Sequence, residues 1–285
     1  MKSLLSGKTE KYRACTYRQS PELRLSDLSE AIEFVNQRGF VFFWPIKGVM
    51  LPSLWVAAAG DRSVASEHDD PGHVTWGWKD ELLGKGIWYY AKILRKKSTM
   101  ISMDIAPYFY ALSENYGSPE HDYLTLYEQG RMTKEARTIY ETLLENGPLN
   151  TIALRKKAHM TSRASDSRFD RAIAYLQADF KIMPIGVSQA GGWRYAFVYD
   201  IVAHHYPKLP QLARKISEEQ ARLKLTELYF LSVGAAQQRD VMKLFGWKSP
   251  VAERVINKLV GTGKLVRGLS MNEHPGEWIA LTDLV

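Results

Sequence analysis

Between Thr133 and Asp200 the spacing of apolar residues changes once, and that change constrains the fold more than any other feature of the chain. Ala136, Ile139, Tyr140, Leu143 and Leu144 keep i, i+3, i+4 spacing behind Thr133, whose hydroxyl suits a helix N-cap, and Gly147 with Pro148 supplies a stop. A second short helix is expected over residues 151 to 158, and a third from Ser165 with Phe169, Ala172, Ile173 and Leu176 on one face. Then the period drops to two. KIMPIGVS and WRYAFVYD read as strands, the second alternating Trp193, Tyr195, Phe197 and Tyr199, and the glycines of QAGG suit the turn between them. Helix, helix, helix, strand, wing, strand is the order of a winged helix.

The same order returns twice. Toward the C-terminus, a capping box from Ser217 to Gln220 opens one helix, QQRDVMKLFGW gives a second, and Ser249 with Pro250 forms the N-cap and first position of a third. KLVRGLS and EWIALTD follow as strands around a wing holding MNEHPG. Nearer the N-terminus, Ser26 is expected to cap a helix with Leu28, Ala31, Ile32 and Val35 inward, PSLWVAAAG and TWGWKDELLG read as helices, and GIWYYAKIL and STMISMDI as strands about an RKK tip. The expected fold is therefore mainly α with small β-hairpins (α+β), in three tandem winged-helix units over 25–116, 131–203 and 211–285, behind an N-terminal extension, 1–24. The first unit carries an enlarged loop between its second and third helices. SPEHDYLTLYEQGR and HHYPKLPQLARK read as linkers. The repetition lies in element order and not in residue identity.

With 38 Lys and Arg against 31 Asp and Glu, the chain carries a formal charge of +7, which favours an anionic partner through long-range attraction. Cys15 is the single cysteine, so intrachain disulfides and multi-cysteine zinc sites are excluded and a reducing compartment is expected. The opening MKSLLSGKTEKYR has too short an apolar run for a secretory signal, and no stretch reaches transmembrane length, so a cytoplasmic protein without membrane contact, most simply a monomer, is expected.

In a winged helix the third helix faces the major groove and the wing reaches phosphates. Helical projection in the middle unit groups Arg168, Arg171 and Tyr175 away from the Phe169 stripe, basic residues interleaved with an aromatic as nucleic acid requires. Exposed helix faces also carry arginines for other reasons, and Asp166 and Asp170 are near enough to pair with them. Arg95, Lys96 and Lys97 at a hairpin tip are candidate phosphate contacts, or a solvated turn. The expected partner is double-stranded DNA. Tandem winged helices also serve as protein-interaction modules, so a partner of another class stays open.

FVFFWPIKGVMLPSLW, GPLNTIALRKKAHM, SRFDRAIAYLQADFKIMPIGV and RYAFVYDIV, in this order, resemble the AlkZ and YcaQ family of DNA glycosylases, and most of all a shorter AlkZ-related branch without the C-terminal β-barrel. The resemblance implies hydrolysis of the N-glycosidic bond of alkylated or crosslinked bases with no metal or cofactor. It also implies a Gln-x-Gln or Gln-x-Asp motif ahead of a Leu-Trp pair. Leu54 and Trp55 match that pair, but the stretch before them reads Phe42, Phe43, Trp44, Pro45, Ile46, Lys47, with neither glutamine nor carboxylate.

Water activation therefore has to be sought elsewhere in the first unit, and EHDDPGHVTWGW at 67–78 holds its densest acidic supply. Glu67, Asp69 and Asp70 are the candidate catalytic carboxylates, able to activate water and to stabilise positive charge on the sugar. Trp76 and Trp78 are candidates for holding an extruded base or wedging open a stack. Two other readings stand beside this one. DDPG is good turn chemistry. His68 and His73, five apart, could in principle ligate a metal, although no metal or other cofactor is expected.

Overall fold

The computed structural model describes residues 2–4, 6–67, 69–192, 194–271 and 274–285, without the side chains of Lys2, Ser3, Leu4, Ser6 and His274. His68, Trp193 and the Glu273 end of the last wing, all named above, lie outside the described residues. The chain begins with strand β1 (Lys2–Leu4) and helix α1 (Ser6–Thr16), within the stretch read as an extension. Helix α2 (Leu28–Arg38) is capped by Asp27, whose carboxylate accepts from the Glu30 N–H at 2.9 Å. Ser26 does not cap it, because its N–H and hydroxyl both donate to the Glu30 carboxylate, and the cap falls one residue later. Strand β2 (Phe40–Phe42), helix α3 (Leu54–Ala59) and helix α4 (Val74–Leu82) follow, then strands β3 (Trp88–Lys92) and β4 (Ser98–Ser102) and helix α5 (Ala106–Tyr110).

The stretch read as the first linker is mostly helix α6 (Pro119–Glu128). Pro119 at its first position and Glu120 and Asp122 in its first turn are N-terminal signals, here masked by a sequence without strong periodicity. Helix α7 (Lys134–Asn146) is capped by Thr133 and stopped at Gly147, as its spacing predicts. Strand β5 (Leu149–Asn150), helices α8 (Thr151–Lys157) and α9 (Asp166–Ala178), and strands β6 (Ile182–Ser188) and β7 (Ala196–Ile201) come next. The second expected linker begins inside the short helix α10 (Val202–His205) and holds a second, α11 (Lys208–Ala213). The chain ends with α12 (Glu218–Val233), β8 (Ala235–Ala236), α13 (Gln238–Phe245), α14 (Ser249–Gly261), β9 (Leu265–Met271) and β10 (His274–Leu281). Ser249 is the first helical residue of α14 and Lys248 its N-cap, so Pro250 stands one position later than expected. The fold is α+β, helix-dominated with small sheets, and no helix among the described residues is long and apolar enough to cross a membrane.

Two compact units result, one of residues 1–78, 100–102 and 218–285, the other of 79–99 and 103–217. In the first unit α1 lies along α12 because the last carbonyls of α12 have no partner within the helix. Tyr12 donates to Leu231 O at 2.8 Å, Thr16 to Ser232 O at 2.7 Å, and Arg13 to Val233 O and Ala235 O at 3.0 and 2.7 Å. The N-terminal segment is thereby part of the unit, and β1 pairs in parallel with β9 in a sheet of order β1-β9-β10-β8. Leu269, Met271, Trp278 and Ala280 fill the space beneath that sheet.

In the second unit, α7, α8 and α9 enclose Ile139, Leu143, Leu154, Phe169 and Leu176 against an antiparallel sheet of order β5-β7-β6. The segment before α6 is fastened to this core. Asp122 Oδ2 accepts from the N–H groups of Tyr116, Gly117 and Ser118, and Asp179 Oδ1 accepts from the Glu114 N–H at 2.9 Å. On α10, His205 faces Asp200 at 3.4 Å and Gly84 O at 2.9 Å, and the Asp200 contact raises its pKa. That raised value means His205 supports the fold fully below its ordinary 6.5 and loses this support as pH rises through the elevated value. We predict that His205→Asn flattens the dependence of melting temperature on pH in that interval, and an unchanged profile would contradict the assignment.

Candidate nucleic-acid interface and acidic loop

In the first unit, the acidic loop folds over α3. Asp70 is the N-cap of a single 3-10 turn (Pro71–His73), accepting from the Gly72 N–H at 2.7 Å. Its two carboxylate oxygens also accept from Arg62 at 2.5 and 2.9 Å, and the guanidinium beside it, helped by the Gly72 bond, holds the carboxyl below its ordinary value. Asp69 and Glu67 are exposed, and Glu67 accepts from the hydroxyl of its neighbour Ser66. Of the three carboxylates, Asp70 is the one committed to the turn.

Beneath the loop runs a chain of aromatic contacts. The His73 ring lies 5.3 Å from Trp55 and 5.5 Å from Trp76, and Trp76 lies 5.9 Å from Trp44. His73 Nε2 is 3.1 Å from Ala65 O, which can only accept, so this nitrogen carries a proton, and the buried Nδ1 has no hydrogen-bond partner among the described residues. Trp76 and Trp78, the candidates for holding a base, both stand on α4 (Val74–Leu82). Residues two apart on a helix point to different faces, and Trp78 is buried in the core while Trp76 is half-buried under the loop.

An acid limb follows from the geometry. Because the Asp70 pKa is depressed, its contribution is full above the ordinary carboxylate value of 3.8 and is lost as pH falls through the lowered one. Tryptophan fluorescence should report the loop loosening over that interval, and Asp70→Asn should show the loosened spectrum already at neutral pH.

The second unit holds the basic candidates. Arg95, Lys96 and Lys97 are exposed at the β3–β4 turn, with no ion pair among the described residues, and the backbone at Arg95 and Lys96 is left-handed, at φ 56° and 54°. Such strain in non-glycine residues concentrates at functional segments. Helix α9 packs against this tip, and Gln177 on α9 accepts from the Lys92 N–H at 3.0 Å. The two basic groups that the sequence assigns to separate units therefore stand on neighbouring elements. Arg171 is exposed, with no ion pair among the described residues, whereas Arg168 lies 3.7 Å from Glu135. Asp166 pairs with Arg155. Tyr175 is half-buried against the core, where burial pushes its phenol up to about 12.

One cluster had no signal in the sequence. Lys79 is almost fully buried, its Nζ 2.7 Å from Asp80 and donating to the Tyr195 hydroxyl at 2.8 Å, with the Phe197 ring 4.7 Å away. The Tyr195 hydroxyl in turn donates to Asp80, and burial lowers the Lys79 pKa. This closed triad ties the last turn of α4 to the β6–β7 hairpin. Tyr195 stands 115 positions from Asp80 and 116 from Lys79, beyond the reach of spacing arguments.

Known proteins supply an independent comparison. The structure is similar to that of the Streptomyces sahachiroi DNA glycosylase AlkZ, with a TM-score of 0.59 and 13% identity over 99% of this chain and 71% of that one. At that identity the likeness establishes the fold alone. No curated protein matches the sequence. The family described as AlkZ related matches residues 25–246, which spans α2 to the end of α13, and the chain belongs to this AlkZ-related family.

Proposed function

We propose that this protein binds damaged double-stranded DNA as a glycosylase-like repair protein, a cytoplasmic monomer on a scaffold of three winged-helix units over 25–116, 131–203 and 211–285. The observation that carries the reading is the packing of α9, with exposed Arg171, against the Arg95, Lys96 and Lys97 tip. Four cations on adjoining elements, with no ion pair among the described residues, suit a phosphate backbone. The net charge of +7 and the family membership support the same partner.

The chemistry we assign is hydrolysis of the N-glycosidic bond of an alkylated or crosslinked base, with Asp69 activating the water and Glu67 beside it. Asp70 holds the turn that presents them, through Arg62 and Gly72. A second reading keeps DNA binding without chemistry, and one observation favours it: the stretch from Phe42 to Lys47 has no glutamine or carboxylate where the resembling enzymes place their motif.

Alkylated and crosslinked duplexes incubated with the protein separate the two. Abasic sites are expected to form, and Asp69→Asn is expected to lower their rate by about 100-fold or more, in the range of lost general-base catalysis, with binding retained. No abasic product across the panel would sink the enzymatic reading and leave the binding one. Product formed at full rate by Asp69→Asn would overturn the residue assignment.

A further inference from the structure

We propose that a cavity of about 380 Å³ in the first unit is a binding site for a nucleobase or nucleoside. It draws on α1, on the loop after Ile46, on α13 and on β9 and β10, so that much of its lining lies outside the residues matched by the family. Its volume is within the range of about 300–1,000 Å³ usual for small-molecule sites.

The floor is apolar on one side and polar on the other. Met271 and Trp278, both buried, supply the apolar part together with Met50, a surface for a flat ring. Thr9 lines the polar part. It is 1% exposed, and its Oγ1 has no hydrogen-bond partner among the described residues. A threonine on a helix ordinarily satisfies its hydroxyl on a carbonyl of the preceding turn, and an unsatisfied buried hydroxyl destabilises the fold. That cost without a structural return marks Thr9 as a group waiting for a ligand.

The surrounding groups narrow the ligand class. Arg13 spends Nε and Nη2 on Val233 O and Ala235 O, and so holds its guanidinium fixed at the cavity wall. Gln237, also buried, is fixed by its bond to Pro275 O at 2.9 Å. Lys243 donates to Gly48 O at 2.5 Å, which pins the opposite wall. Arg13 and Arg239 are balanced by Glu10 and Asp240, so the lining has no excess of positive charge for a bare phosphate or polyphosphate. A neutral planar heterocycle with donors and acceptors on its edge matches a flat apolar surface, a two-way hydroxyl and a fixed polar rim. All of the cavity lining belongs to the first unit, whereas the basic tip and α9 belong to the second.

The test is calorimetric titration of the full chain with adenine, guanine, cytosine, thymine and their nucleosides, and with a short single-stranded oligonucleotide. Saturable binding of at least one free base or nucleoside is expected. Thr9→Val should weaken it at least tenfold without lowering the melting temperature, because the methyl replaces a hydroxyl that bonds to nothing in the free protein. Met50→Trp should abolish it by filling the cavity. Binding of the oligonucleotide alone, abolished in both variants, would keep the site and place its base in DNA. The proposal is overturned if none of the ligands binds, if binding survives in Thr9→Val and Met50→Trp, or if Thr9→Val lowers the melting temperature and so reveals a structural hydroxyl.

Discussion

Replacing Lys181 by Met should lower the stability of the second unit by about 3–5 kcal/mol, the usual cost of stranding one member of a buried ion pair. The Lys181 side chain is 1% exposed, and Nζ faces Asp179 Oδ2 at 3.1 Å while donating to Glu114 O and Asn115 Oδ1 at 3.1 and 3.0 Å. Methionine of similar length fills the volume but leaves the Asp179 carboxylate without its counter-charge. Burial already raises the Asp179 pKa, with Lys181 opposing the rise. Without the lysine the carboxyl should protonate more readily, so the deficit should be largest where Asp179 must remain charged and should shrink as pH falls through its raised pKa. Adding Asp179→Asn, which keeps an oxygen for the Glu114 N–H, should recover most of the loss. Urea denaturation of the single and double variants checks both statements, and a deficit under about 1 kcal/mol in the single variant would show the pair to be dispensable.

The second large effect is expected at Trp55. Its ring is fully buried on α3, its Nε1 donates to Arg62 O at 3.2 Å, the Arg62 guanidinium lies 5.0 Å over it, and His73 packs on it. Gly72 approaches so closely that an added Cβ would stand 2.8 Å from both the Trp55 ring and Ala59 Cβ. Trp55→Ala should therefore cost about 3–5 kcal/mol and free the acidic loop as well. Limited proteolysis should show new cleavage between residues 61 and 73, and a loop as resistant as in the parent protein would contradict this. Gly72→Ala should reproduce the loop exposure with a smaller loss of stability.

These two residues mark what sequence reasoning reaches and what it does not. Thr133, Gly147 and the stripe between them are local, and the helix they define is where spacing places it. The turn at Asp70, Pro71 and Gly72 was legible for the same reason. Local competition already blurs the picture at Ser26, where the Glu30 carboxylate takes the serine and Asp27 becomes the cap. Longer reach defeats it. That Lys181 is buried, or that Lys79 closes a triad with Asp80 and Tyr195, depends on partners more than sixty positions away. Likewise α6 and α10 to α11 owe their helicity to docking more than to their own pattern, through bonds such as that of the Tyr140 hydroxyl to Pro119 O and that of His205 to Gly84 O. The carboxylates of 67–70 were visible as a cluster, but Arg62, which separates Asp70 from the other two in role, was not.

The central claim is that the basic tip beside α9 meets a phosphate backbone. Binding of the protein to duplex DNA, titrated over salt, tests it directly. The slope of log affinity against log salt becomes shallower by about 0.9 for each phosphate that the protein no longer neutralises. The variant with Arg95, Lys96 and Lys97 all changed to Ala should therefore show a slope shallower by about 2–3 and weaker binding at low salt. A slope and affinity equal to those of the parent protein would contradict the account.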